Sequence, residues 1–196
     1  MVQTQDRSLA AGLIAARSYL KENRARGWEA LNHLFRNAAV PDPAPNGRYR
    51  GEFIALALTP GLTQLFGGLA SLWMPWQGKT FSVAQQHGEN VLSKGSYFLA
   101  RVFNPFYRGF RSDTPKTYRA FAFRTYAAPG LFDEDLTVLK IDYDLKENPA
   151  LTVRRVLDEL VQLDDGLFLG KAHVRWWWGR WQTVAYFSLK DENTTA

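Results

Sequence analysis

Cysteine is absent from the chain. Disulfides, thiolate metal sites and a cysteine nucleophile are thereby excluded, and a reducing, cytoplasmic setting is expected. Histidine is scarce. His33, His87 and His173 stand far apart, with no spacing suited to a zinc site. No run approaches the roughly eighteen apolar residues that a membrane-spanning helix needs. The N-terminal stretch has arginines and an acid scattered through it and no clean apolar core, so no signal peptide is expected. There is no Gly-x-Ser-x-Gly elbow, no P-loop spacing, no internal repeat and no low-complexity tract.

What is present is an ordinary globular composition with many rings. Of 196 residues, 46% are hydrophobic and 14% aromatic. That suits a sheet-rich domain or one with an apolar cavity. The net charge of +5 is unevenly spread. Between Lys94 and Arg124 seven basic residues face a single acid, Asp113. Such a segment could meet an anionic head group, a membrane surface or nucleic acid. The modest overall charge and the lack of any nucleic-acid-binding signature argue against nucleic acid. Peripheral contact with a membrane stays open.

Apolar residues recur at helical spacing over 8–37, as two pieces broken near Gly27. The proline-rich stretch 41–47 then connects to strands. Strand patterns lie at 48–58, 79–84, 89–93, 95–103, 117–127, 135–144, 167–178 and 181–190. About eight strands suit a small antiparallel barrel. Leu62, Leu65, Phe66, Leu69, Trp73 and Trp76 form one helical stripe over 60–76, read as a lid or wall. Asn148, Pro149 and the stripe Val153, Val156, Leu157, Leu160 and Val161 predict an amphipathic helix over about 149–162. The expected organisation is a helical extension and linker (1–46), a β-barrel (47–190) and a flexible tail (191–196).

The stretch Val174-Arg175-Trp176-Trp177-Trp178-Gly179-Arg180-Trp181 reads as a hairpin with a two-residue turn at Gly179-Arg180. That register pairs Ala172 with Phe187. It turns Trp176, Trp178 and Trp181 inward and leaves Trp177 on the polar face with His173 and Arg175. Gly170, Ala172 and Ala185 would leave room for a ligand among larger residues.

Four short motifs occur in order. They are Gly47-Arg48-Tyr49-Arg50-Gly51, Trp76-Gln77-Gly78-Lys79-Thr80-Phe81, Tyr143-Asp144 with Pro149, and Asp164-Asp165-Gly166 leading to Leu169-Gly170-Lys171. Together they resemble the GXWXG-type bacterial proteins of unknown function, with Tyr49 in place of the tryptophan. The resemblance covers roughly 47–175 and implies a lipocalin-like closed barrel. Similarity to haem-binding barrels of related architecture implies a strand histidine as iron ligand, for which His173 is the candidate; no other cofactor or metal is expected.

The sequence therefore points to a mainly β, lipocalin-like barrel that binds a hydrophobic or amphipathic small molecule, lipid-like or polycyclic. Phe53, Trp76, Phe121, Phe123, Arg124, Trp176 and Phe187 are the expected ligand-binding residues. A cyclase or isomerase on the same barrel is the alternative, with His173 or Tyr186 as acid or base.

Overall fold

The structure, a computed structural model, describes residues 2–57 and 75–192, with side chains from residue 9 onward. Two helices open the chain, α1 (Val2–Glu22) and α2 (Arg24–Arg36). They part at Asn23 rather than Gly27, because the Asn23 side chain accepts the Arg26 N–H at 3.0 Å and caps α2. Gly27 serves contact instead. A Cβ there would lie 2.5 Å from Leu20, so the absence of a side chain lets the helices close on each other.

The strands are β1 (Gly47–Leu56), β2 (Trp76–Ser82), β3 (His87–Ser93), β4 (Arg111–Ser112), β5 (Thr117–Pro129), β6 (Thr137–Asp142), β7 (Val156–Asp164), β8 (Leu167–Arg175) and β9 (Trp181–Asp191). Their order is β3-β2-β1-β9-β8-β7-β6-β5-β4, and β3 also pairs with β5. Eight antiparallel strands thus close into a barrel, with the two-residue β4 appended to β5. Closure removes the exposed edges that an open sheet would present.

Two elements differ from expectation. Residues 97–103 form a short helix, α3 (Tyr97–Phe103), not a strand. The helix expected over 149–162 is a single turn at Val153–Arg155 followed by strand β7. The reason is burial on both faces. Val156 and Leu160 point into the lumen, while Val161 and Leu163 face α1 and α2. A strand covered on both sides loses its apolar–polar alternation. Here the remaining apolar positions mimic a helical stripe. The helix expected over 60–76 falls outside the described residues except at its end, where Trp76 opens β2.

Strand parity divides the core in two. Inside the barrel, Tyr49, Phe81, Phe123 and Phe168 pack edge to face at 5.4–5.6 Å and fill one end. Outside it, Leu13, Leu31, Leu34 and Phe35 of the helices cover Val161, Leu163, Leu169 and Tyr186 of the wall. A bulge between Phe53 and Ala55 carries Ala55 out of the lumen set to which Tyr49 and Phe53 belong.

The antiparallel pairing sorts the connections between barrel strands. Those joining β3 to β5, β6 to β7 and β8 to β9 gather at one end, called the upper end, where β1 also ends and β2 begins. Those joining α2 to β1, β2 to β3, β5 to β6 and β7 to β8 gather at the lower, where β9 also ends.

Candidate functional site: a charged cluster in the barrel lumen

Above the ring-filled lower end lies a cavity of about 60 Å³. Phe53, Trp76, Leu92, Phe121, Val156 and Phe187 supply apolar surface. Most of these come from the upper halves of their strands, so the cavity belongs to that end. Its room is for about two waters or one small group. A larger ligand must displace side chains.

Four polar residues join that lining: Lys79, Asn90, Tyr143 and Asp158. All are buried. Lys79 Nζ donates to Asp158 Oδ2 at 2.9 Å, to Asn90 Oδ1 at 3.0 Å and to the Tyr143 hydroxyl. The ammonium's three donors are therefore all used. Rings of Trp76, Phe123, Tyr143 and Phe187 surround it at 5.0–5.4 Å, close enough for cation–π attraction. Trp76 Nε1 and the Tyr143 hydroxyl also donate to Asn90 Oδ1, at 3.1 and 3.2 Å. Tyr143 is also 3.2 Å from Asp158 Oδ2.

Burial lowers the Lys79 pKa from its ordinary value, against the pull of Asp158. Burial and the Asp158 charge drive the Tyr143 phenol well above its ordinary value, so it stays a neutral proton donor. Every hydrogen bond of Asp158 runs through Oδ2; Oδ1 has no partner among the described residues. A cavity-lining carboxylate with one unused oxygen can receive a hydroxyl or N–H from a ligand.

Phe53, Trp76, Phe121 and Phe187 stand together on the cavity. Phe123 and Trp176 belong to the same lumen core without lining it. Arg124 lies outside: it pairs with Asp142 at 2.6 Å and is half exposed. His173 and Tyr186 are across the wall from the cavity, fully buried on its outer face. His173 Nε2 stands 3.2 Å from Glu159 and Nδ1 is 3.1 Å from Thr183 Oγ1, while the Tyr186 hydroxyl donates to Asn32 of α2. His33 and His87 do not line the cavity either. The residues present thus do not fit a haem in the lumen. Among the described residues no cluster of His, Asp or Glu could hold a metal ion.

The space at Gly170 is also occupied. Its cross-strand partner is Phe187, and a Cβ there would lie 2.1 Å from that ring. The expected pairing of Phe187 with Ala172 is shifted because five residues, 176–180, join β8 to β9 and a bulge follows Ala172. Trp176 alone of the cluster is buried. Trp178 stacks on it at 5.1 Å yet is 61% exposed, Trp177 is 59% exposed, and Trp181 is partly exposed with the Arg175 guanidinium 5.8 Å from its ring.

A second buried charge network occupies the outer face. Glu159 meets Lys140 and His173, and Lys171 meets Asp133 at 2.6 Å, with Arg36 of α2 also on Asp133. Burial would raise the Glu159 carboxyl, but His173 and then Lys140 overcome it and hold it at about 2.

A solved structure has this same architecture. The crystal structure of a protein from Thermomonospora curvata matches with a TM-score of 0.51, 18% identity, and coverage of 91% of this chain and 99% of that one. At that identity the likeness shows the fold. No family model and no curated protein matches the chain. Among the described residues no helix is long and apolar enough to cross a membrane.

The lumen quartet lay partly in view. Lys79 sits inside the Trp76–Phe81 motif, two residues before the inward Phe81, so period two turns it inward. Asp158 was hidden by the helical reading of β7. Tyr143 stands in the Tyr143-Asp144 motif, which marks it without giving it a face, and Asn90 carries no signal of its own.

Proposed function

We propose that the barrel binds a small hydrophobic or amphipathic molecule, polycyclic or lipid-like, that carries one hydroxyl or N–H donor. The observation that supports this is the unused Asp158 oxygen on a largely apolar cavity, with Lys79 fixing the carboxylate in place. Sites of this kind use apolar surface for affinity and a few placed polar groups for orientation. Phe53, Trp76, Phe121 and Phe187 would embrace the apolar body, and Asp158 would take its donor.

The same proposal includes remote kinship with the GXWXG-type proteins. Two of the motif residues have a physical task here. Tyr49 plugs the lower lumen, and Gly51 leaves its face free for the Trp76 ring, which a Cβ would approach to 2.3 Å.

Native mass spectrometry of protein purified from its own host tests the reading, followed by calorimetric titration with polycyclic alcohols and their hydrocarbon analogues. Recovery of an apolar alcohol, or saturable binding that Asp158→Asn weakens, supports it. No binding of either probe type overturns it.

A second reading, a cyclase or isomerase, draws on one observation. Tyr143, held neutral, and Asp158, held beside an ammonium, form a donor and an acceptor 3.2 Å apart. Such pairs perform proton transfer in dry cavities. Turnover of a bound apolar substrate that Tyr143→Phe abolishes without loss of binding would favour it.

A further inference from the structure

The two ends of the barrel carry opposite charge. At the upper end, the connection from β3 to β5 brings Lys94, Arg101, Arg108 and Lys116, whereas the side chains of Arg111 and Asp113 lie along the outer wall, Arg111 on Glu89 beside Ser82 and His87 and Asp113 on Arg48. That from β6 to β7 adds Lys146, Arg154 and Arg155 against Asp144 and Glu147. Arg180 lies between β8 and β9. The sum is +6. At the lower end stand Asp42, Asp133, Glu134, Asp135, Asp165 and Glu192, with no lysine or arginine in those connections. Asp144 of the upper end is engaged by Arg154, and of the lower acids Asp133 and Asp135 meet Arg36 and Glu192 meets Arg48.

The positive end is also where large apolar side chains meet solvent. Phe106 is 94% exposed and Phe98 75%, and Leu99, Val102 and Phe103 flank them on or beside α3. Leu151, Trp177 and Trp178 are exposed on the neighbouring connections. The buried side of α3 is accounted for, since Tyr97 packs edge to face on Phe110 and Tyr118. The solvent side has no counterpart among the described residues. Exposed apolar groups set among cations suit the interface of an anionic bilayer, where aromatic rings sit at head-group depth and cations meet lipid phosphates. Aliphatic Leu99, Val102 and Leu151 stand among the rings, and a base-stacking surface for single-stranded nucleic acid has no use for them.

We propose that this end of the barrel docks on the surface of an anionic lipid bilayer, placing the cavity at the membrane so that its apolar ligand passes between lipid and lumen. The docking names the source of the ligand and in that respect rests on the ligand-binding reading. The lower end, acidic, faces away from the lipid.

Flotation of the full chain with two vesicle types provides the test, one of phosphatidylcholine alone and one containing phosphatidylglycerol. Binding to the second type only is expected, weakening as salt rises. Removing cations by Arg108→Gln and Lys116→Gln weakens binding about fivefold each. Phe98→Ser with Phe106→Ser weakens it while circular dichroism stays unchanged. Glu134→Arg, at the opposite end, leaves lipid binding intact. Absence of binding to anionic vesicles overturns the proposal, as does equal binding by the Gln and Ser variants. Binding of an oligo(dT) probe in place of vesicles overturns it in favour of nucleic acid. Titration of an apolar alcohol in the absence of vesicles separates the two readings. If the alcohol binds and vesicles do not, docking fails alone; if vesicles bind and the alcohol does not, the ligand reading fails alone.

Discussion

Lys79 Nζ stands 2.9 Å from Asp158 Oδ2 inside the barrel, with both side chains almost wholly removed from solvent. An ion pair so placed contributes little net stability, because desolvation of both charges offsets their attraction. Its energetic weight lies in what happens when one partner is lost.

Lys79→Met leaves a buried, uncompensated carboxylate and is expected to cost about 3–5 kcal/mol. Lys79→Met combined with Asp158→Leu removes both charges and is expected to restore most of that loss. Urea denaturation of the three proteins checks this. A single variant as stable as the parent would mean that Asp158 is solvated.

The outer network governs acid sensitivity. Glu159 ionises near 4.5 when unfolded and at about 2 when folded. The unfolded chain thus takes up the proton first as pH falls. The stabilisation is complete above about 4.5 and lost as pH drops through 2. Asp133, held below its usual range by Lys171 and Arg36 despite burial, adds to the same slope. Glu159→Gln should therefore flatten the fall of the denaturation midpoint as pH drops from about 4.5 to about 2. Urea titrations at several pH values in that window check it. A slope identical to the parent's would show that the Glu159 carboxyl takes up its proton equally readily in the folded and unfolded chain.

Gly170→Ala forces a methyl group against Phe187, which it would approach to 2.1 Å. Overpacking of this kind costs about 1–3 kcal/mol. Gly170→Ala with Phe187→Leu should recover part of it. Thermal melts of the single and double variants decide, and an unchanged single variant would mean that the ring has room to move aside.

Asp158 also governs ligand choice. Asp158→Asn should weaken binding of a polycyclic alcohol by roughly tenfold to a hundredfold, the weight of a charge-assisted hydrogen bond. Binding of the hydrocarbon analogue should change far less. Equal losses for both ligands would show that Asp158 shapes the cavity without touching the ligand.

The barrel was legible in the sequence because period two survives wherever one face of a strand is polar. Its strand count came out near eight through two compensating departures. The 95–103 stretch reads as a strand but folds as α3, and β7 reads as a helix because both its faces are buried. On such a helix Asp158 and Glu159 fall off the apolar stripe and onto the polar side. They are instead consecutive residues on opposite faces of one strand, each buried with its own lysine. Sequence spacing cannot reveal that partner, since Lys79 and Lys140 lie 79 and 19 residues away. The tryptophan hairpin shows the same limit. Its composition marked a turn, but the five-residue connection and the bulge after Ala172 reset the register, so that Trp178 emerged beside Trp177.

The opposed charge of the two barrel ends bears on the protein alone in solution. At low ionic strength the basic end of one molecule attracts the acidic end of the next, against the repulsion between chains that each carry a net +5. Such a contact is head-to-tail and does not close on itself, so it propagates as a chain rather than stopping at a dimer. The screening length shrinks to about 8 Å at physiological salt, which limits the attraction to near contact. Dilute buffer should therefore turn a clear solution into one that scatters light, and added salt should clear it again.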